Sequence, residues 1–158
     1  MGKQARIHKL SDSILCHLEN TAKIARVSAV RFFEEHEEIN VSFHDFLILE
    51  ALYANPKIHQ RDLAKILFKG TANLSRDLVR LEDCGLIKRS IDVKAKRIVK
   101  TLMLTEEGER IFKDVSKISL KHVSEIEEIF TDEEYKQFLS YIERLQNRLT
   151  ESVDMVFE

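Results

Sequence analysis

The apolar residues of this chain change period near its middle, and that change restricts the fold more than any other feature. Leu63, Ile66 and Leu67 share one face of a short helix over about 60–67, and Leu74, Leu78 and Leu81 form the stripe of a second. From Leu86 onward the runs 86–91 and 98–104 are rich in branched residues, as strands are. In the turn 68–70, Gly70 is the residue that takes a left-handed backbone angle without steric cost. Thr71 is expected as N-cap of the second helix and Gly85, after Cys84, as the glycine that ends it. Residues 92–97 form a charged loop between the strands and carry Lys94, Lys96 and Arg97. Two helices, a tight turn and a basic hairpin are the layout of a winged helix-turn-helix, which reads DNA with its second helix.

The chain of 158 residues fits one domain with a sizeable core, and one proline and four glycines leave few helix breakers. The fold class is therefore mainly α with a small β-hairpin wing, an α+β chain. No run of 18 apolar residues is present, so no membrane span is expected, and the first residues lack the apolar core of a signal peptide. A cytoplasmic protein is the expectation. Two cysteines, Cys16 and Cys84, are too few for a disulfide framework. The net charge of −2 hides a strong asymmetry. Residues 57–100 hold 12 basic and 5 acidic side chains, a net +7, against 13 basic and 22 acidic in the remainder. Positive potential is thus concentrated on the motif, where phosphates would sit.

Around that motif lie long amphipathic helices. Leu10, Ile14, Leu18, Ala25, Ala29 and Phe33 predict one helix over about 9–35, ended by the acidic cluster 34–38 that opposes its dipole. Ser42 and Asp45 resemble a capping box for a helix that stops at Asn55-Pro56. Thr105 is the expected N-cap of a helix with Ile111, Val115, Ile118, His122, Ile126 and Ile129 on its stripe. Thr131 and Glu134 complete a capping box for a last helix bearing Phe138, Ile142, Leu145 and Leu149. Residues 1–158 read as one domain with a winged-helix lobe, 41–104, and a helical dimerisation lobe from 1–40 and 105–158. The terminal stripes exceed what one small core needs, so a homodimer is expected. A two-fold dimer also reads two half-sites about 34–36 Å apart, a pseudo-palindromic operator in double-stranded DNA.

The segment RDLAKIL, the recognition helix ending RLEDCGLIKR, the wing and the LTEEG of residues 104–108 together resemble the MarR family of bacterial transcription regulators over nearly the whole chain. The resemblance implies an obligate homodimer, a winged-helix fold, and repression relieved by a small ligand or an oxidant. The wing departs from the family pattern. Ala95 stands where an Asp would pair with Arg97, and Arg97 lies eight residues before Thr105. Arg97 is the expected minor-groove residue, with Lys96 its rival.

Within this frame Asn73, Ser75, Arg76 and Arg80 occupy the exposed face of the second helix, Arg suited to guanine and Asn to adenine. Thr71 and the free N–H groups around it suit a phosphate. His59 and Gln60 are expected to contact the backbone of the duplex. Lys94, Lys96 and Arg97 line or enter the minor groove, where arginine senses width. Cys16 is the candidate effector-sensing residue, as an oxidation switch; its competing reading is a small packing residue. Zinc has possible ligands in Cys16, His17, His36, His44, His122 and the acidic run 34–38, but no metal-site spacing, so no metal site is assigned. A hydrophobic molecule against Phe32, Phe33, Phe43, Phe46 and His44 is a third input, opposed by ordinary core packing. No cofactor is expected. The alternative function is a winged-helix protein-interaction module without specific DNA binding. An enzyme has little support, since a glycine-rich phosphate loop, a nucleophile elbow and an HExxH helix are all missing from the sequence.

Overall fold

Hydrogen bonds at the helix ends decide where this chain turns. The computed structural model describes residues 9–94 and 97–153. Its elements are α1 (Ile14–Glu35), α2 (Phe43–Ala54), α3 (Gln60–Ile66), α4 (Thr71–Asp83), β1 (Ile87–Lys94), β2 (Arg97–Leu104), α5 (Glu106–Glu127) and α6 (Asp132–Val153). They cluster into two compact units, Met1–Val115 and Ser116–Glu158, which divide within α5.

The first helix begins later than its apolar spacing predicts. Ser13 adopts extended backbone and its hydroxyl accepts the Cys16 N–H at 3.3 Å, so residues 10–12 form a separate 3₁₀ turn. The α2 cap forms as expected. Ser42 Oγ accepts the Asp45 N–H at 3.2 Å and donates to Asp45 Oδ2 at 2.7 Å. Asn55 then closes the helix, its N–H on the Ala51 carbonyl at 3.1 Å.

The helix-turn-helix corrects two expectations. The left-handed residue is Phe68, with φ 48°, while Gly70 has φ −62° and serves as the N-cap of α4; Thr71 is the first helical residue. Paired bonds set this arrangement: Phe68 N–H donates to the Lys65 carbonyl at 3.1 Å and Lys69 N–H to that of Ala64 at 3.0 Å. They form a Schellman motif, whose geometry demands a left-handed residue at Phe68. Gly85 makes the same motif after α4, with φ 71° and the Leu86 N–H on the Leu81 carbonyl at 3.0 Å. On α3 the core-facing residues are Leu63 and Ala64, whereas Ile66 lies half exposed.

β1 and β2 pair antiparallel from Ile87↔Leu104 to Lys94↔Arg97, so the wing is longer than expected. Asp92, Val93 and Lys94 have ladder partners, which places them in β1 and shortens the connection to residues 95 and 96. A further bridge joins Ile58 to Leu102, the Leu102 N–H donating to the Ile58 carbonyl at 2.9 Å. The hairpin is thereby fastened to the entry of α3.

Leu49, Leu63, Leu74 and Leu78 are fully buried, and Ile48, Leu52, Leu81, Ile87 and Leu102 nearly so. Each such side chain contributes roughly 1.5–3 kcal/mol by leaving water. The exit from the hairpin is locked by Thr105. Its hydroxyl donates to the Gly85 carbonyl at 2.7 Å and accepts the Gly108 N–H at 3.0 Å, the N-cap expected for α5. Gly108 packs against the Leu86 backbone so closely that a Cβ there would lie 1.9 Å from the Leu86 carbonyl oxygen. That contact explains why the LTEEG segment ends in glycine.

In the second unit, Thr131 and Glu134 form the full capping box of α6. Thr131 N–H donates to Glu134 Oε2 at 2.9 Å, and Glu134 N–H to Thr131 Oγ1 at 3.3 Å. The Thr131 N–H most, and then the Thr131 hydroxyl donating to the same Oε2 at 3.0 Å, hold the Glu134 carboxyl below its ordinary range. Phe130 and Phe138 stack at 5.6 Å, yet Ile126, Ile129, Phe138, Leu139, Tyr141 and Leu149 all remain exposed.

Candidate nucleic-acid interface

The recognition helix presents two faces of opposite character. Leu74, Leu78 and Leu81 fill the core, while Thr71, Asn73 and Arg76 are exposed and Ser75 is half-buried. Arg76 Nη2 donates to the side-chain Oδ1 of Asn73 at 2.6 Å, one turn apart on the outer surface. Two of the side chains expected to read bases are therefore brought together, with donor groups directed away from the core.

Arg80 is placed differently from its expected role. Its guanidinium takes both oxygens of Asp45, with Nη2 to Oδ1 at 2.6 Å and Nη1 to Oδ2 at 2.8 Å. Asp45 is only 4% exposed and lies in the first turn of α2. Burial pushes the Asp45 carboxyl up, but the hydrogen bonds from Arg80 and Ser42, with the Arg80 charge, outweigh it and hold the carboxyl below its ordinary range. The bond to Asp45 raises Arg80 in turn. Lys69, in the turn, binds Asp77 on α4, and Asp77 Oδ1 lies 3.6 Å from Arg80. Sequence inspection missed this chain of alternating charges, because Asp45 and Arg80 stand 35 residues apart.

His59 is the exposed N-cap of α3, and Gln60 its half-buried first residue, at the helix end where the backbone contacts were expected. Lys94 and Arg97 are register partners at the far end of the hairpin, and Lys96 lies outside the described residues. On the strand side, Arg89 Nε donates to Glu82 of α4 at 2.9 Å.

The residues considered for sensing are distributed over α1 and α2. Cys16 is half-buried in the first turn of α1 and both cysteines are free. A cavity of about 570 Å³ between the end of α1 and the start of α2 is lined by Phe33, Phe43, Glu34, Glu37, His36 and His44, among others. Phe46 belongs to the core instead, with Phe33 on one side at 5.4 Å and Phe112 on the other at 5.6 Å. Among the described residues, no group of three His, Cys, Asp or Glu side chains is arranged to hold a metal ion. No described helix is long and apolar enough to cross a membrane.

Comparison with known proteins follows the same lines. The model of the MarR family matches residues 39–98, which span α2 to the start of β2. Over that segment, a little more than a third of its length, the chain is similar to the MarR family. Its fold is shared with a solved MarR structure at 26% identity and TM-score 0.67, covering 85% of this chain and 98% of that one. The transcriptional regulator SlyA matches at 24% identity and TM-score 0.77, covering 89% and 98%. MepR of S. aureus, solved in a complex with DNA, matches at 20% and 0.72, covering 89% and 99%. No curated protein matches the chain. These likenesses show a winged-helix fold.

Proposed function

We propose that this protein is a sequence-specific repressor that binds a pseudo-palindromic operator as a homodimer in the cytoplasm and is released by a small ligand or an oxidant. The observation that carries the reading is the exposed Asn73–Arg76 pair on a helix whose opposite face is fully buried. Asn73, Ser75, Arg76 and Arg80 belong to the major-groove face; Thr71, His59 and Gln60 hold phosphates; Lys94, Lys96 and Arg97 follow the minor groove. The net +7 of residues 57–100 supplies the attraction to phosphate. Exposed apolar stripes on α1, α5 and α6 support pairing with a second copy. For the effector, the cavity between α1 and α2 offers room to an aromatic molecule, and Cys16 at a helix N-terminus is the place for an oxidant.

Arg76→Ala is expected to lower affinity for the selected site by about 1–3 kcal/mol and to relax preference at one base position. Fluorescence anisotropy on site variants reads this, and an unchanged profile would refute base reading by Arg76. A protein-interaction module without DNA binding is separated by salt, since only a phosphate-contacting protein shows a steep fall of affinity with ionic strength.

A further inference from the structure

We infer that Asp45 is a positioning residue for DNA recognition, and that Arg80 acts through it to set the angle of α4 and does not touch the duplex. The inference rests on the DNA-binding reading above and goes beyond it by taking a recognition-helix arginine out of the contact set. Both Asp45 oxygens are occupied by the Arg80 fork, and Oδ2 also accepts the Ser42 hydroxyl. The carboxylate therefore joins the cap of α2 to the last turn of α4. Leu74, Leu78 and Leu81 hold α4 in the core through non-directional contacts, which resist separation but permit small rotations. A bidentate fork fixes direction as well as distance. The Lys69–Asp77 pair, with Asp77 also beside Arg80, extends the brace towards the start of the same helix.

The alternative, in which Arg80 swings out to a base or phosphate, leaves the Asp45 charge buried at 4% exposure without its cation. An uncompensated buried charge is strongly unfavourable, so the arginine stays. Arg80 itself is 51% exposed, which makes it visible from solvent while one N–H on each terminal nitrogen is committed to Asp45.

The two roles predict opposite signs. In the full-length protein, anisotropy with a selected duplex over a salt series is measured for D45N, R80K and the pair combined. A brace predicts that D45N and R80K each weaken binding about tenfold and alter the ranking of single-base operator variants, with the salt slope unchanged. The double variant falls no further than the weaker single. Melting followed by circular dichroism shows each variant folded at the assay temperature; should D45N unfold, R80K decides alone, because lysine keeps the charge and loses only the fork. D45N binding as tightly as the parent or tighter, R80K binding like the parent, or a salt slope reduced by about one overturns the inference. A parent protein without salt-dependent duplex binding would instead remove the DNA-binding reading, and this inference with it.

Discussion

The winged-helix elements and the α6 helix are built from similar amphipathic sequence, yet they end differently. On α4 the stripe Leu74, Leu78 and Leu81 is buried within the same chain, where α3 and β1 pack against the helix, and none of the three exceeds 1% exposure. On α6 none of the described residues is buried, and Phe138, Leu139, Tyr141 and Leu149 keep two-fifths or more of their surface in water. Apolar periodicity thus specifies a helix with a face to cover, but does not specify whether the cover comes from the same chain. The first region completes its core internally. The second leaves an apolar surface of the kind that marks association.

The sharpest way to break this comparison is a core truncation. Leu78→Ala is expected to cost about 2–5 kcal/mol in denaturant unfolding, because it leaves a cavity among fully buried neighbours. That loss should not depend on protein concentration. Ile126→Glu, on the half-exposed α5 stripe, tests the other side. It is expected to weaken self-association by a hundredfold or more, about 3 kcal/mol, by placing a charge in an apolar interface. Sedimentation of a parent protein already monomeric at micromolar concentration would remove the contrast altogether.

Smaller effects sharpen the picture inside the first region. Phe68 holds φ 48° with 81% of its surface exposed, so the fold gains little burial in return for a strained backbone. Phe68→Gly is expected to raise stability by about 0.5 kcal/mol, relief of the left-handed angle being partly offset by greater freedom of the unfolded chain. A lower melting temperature would contradict this. Acid supplies the last test. The Asp45 carboxyl lies below its unfolded value, so its contribution is complete above the unfolded pKa and disappears as pH falls through the folded one. The stability curve of D45N is therefore expected to be flatter than the parent's below about pH 4, where the unfolded carboxylate takes up its proton.

Much of this architecture is legible in short stretches of sequence, for a local reason. Ser42 with Asp45, Thr131 with Glu134, and Gly85 after α4 act on residues within one turn, so their chemistry is visible in a few letters. The same holds for the outward side chains of α4. Legibility ends where a residue is held against its own preference, where a cap interrupts an apolar pattern, or where a distant partner decides. Phe68 is left-handed because two helix-end bonds require it, against its own preference, and Gly70 is free to cap instead. The start of α1 moved because Ser13 competes with a continuing apolar pattern. The Ile58–Leu102 bridge is a single pairing with no period to detect, and the partner of Arg80 is a carboxylate on another helix.

Gly108 carries one last mechanical implication. With the backbone of Leu86 where a methyl group would otherwise stand, the first turn of α5 and the base of the hairpin have no slack between them. A side chain at this joint would prise the helix start and the hairpin base apart, since the atom it meets is backbone and cannot swing aside.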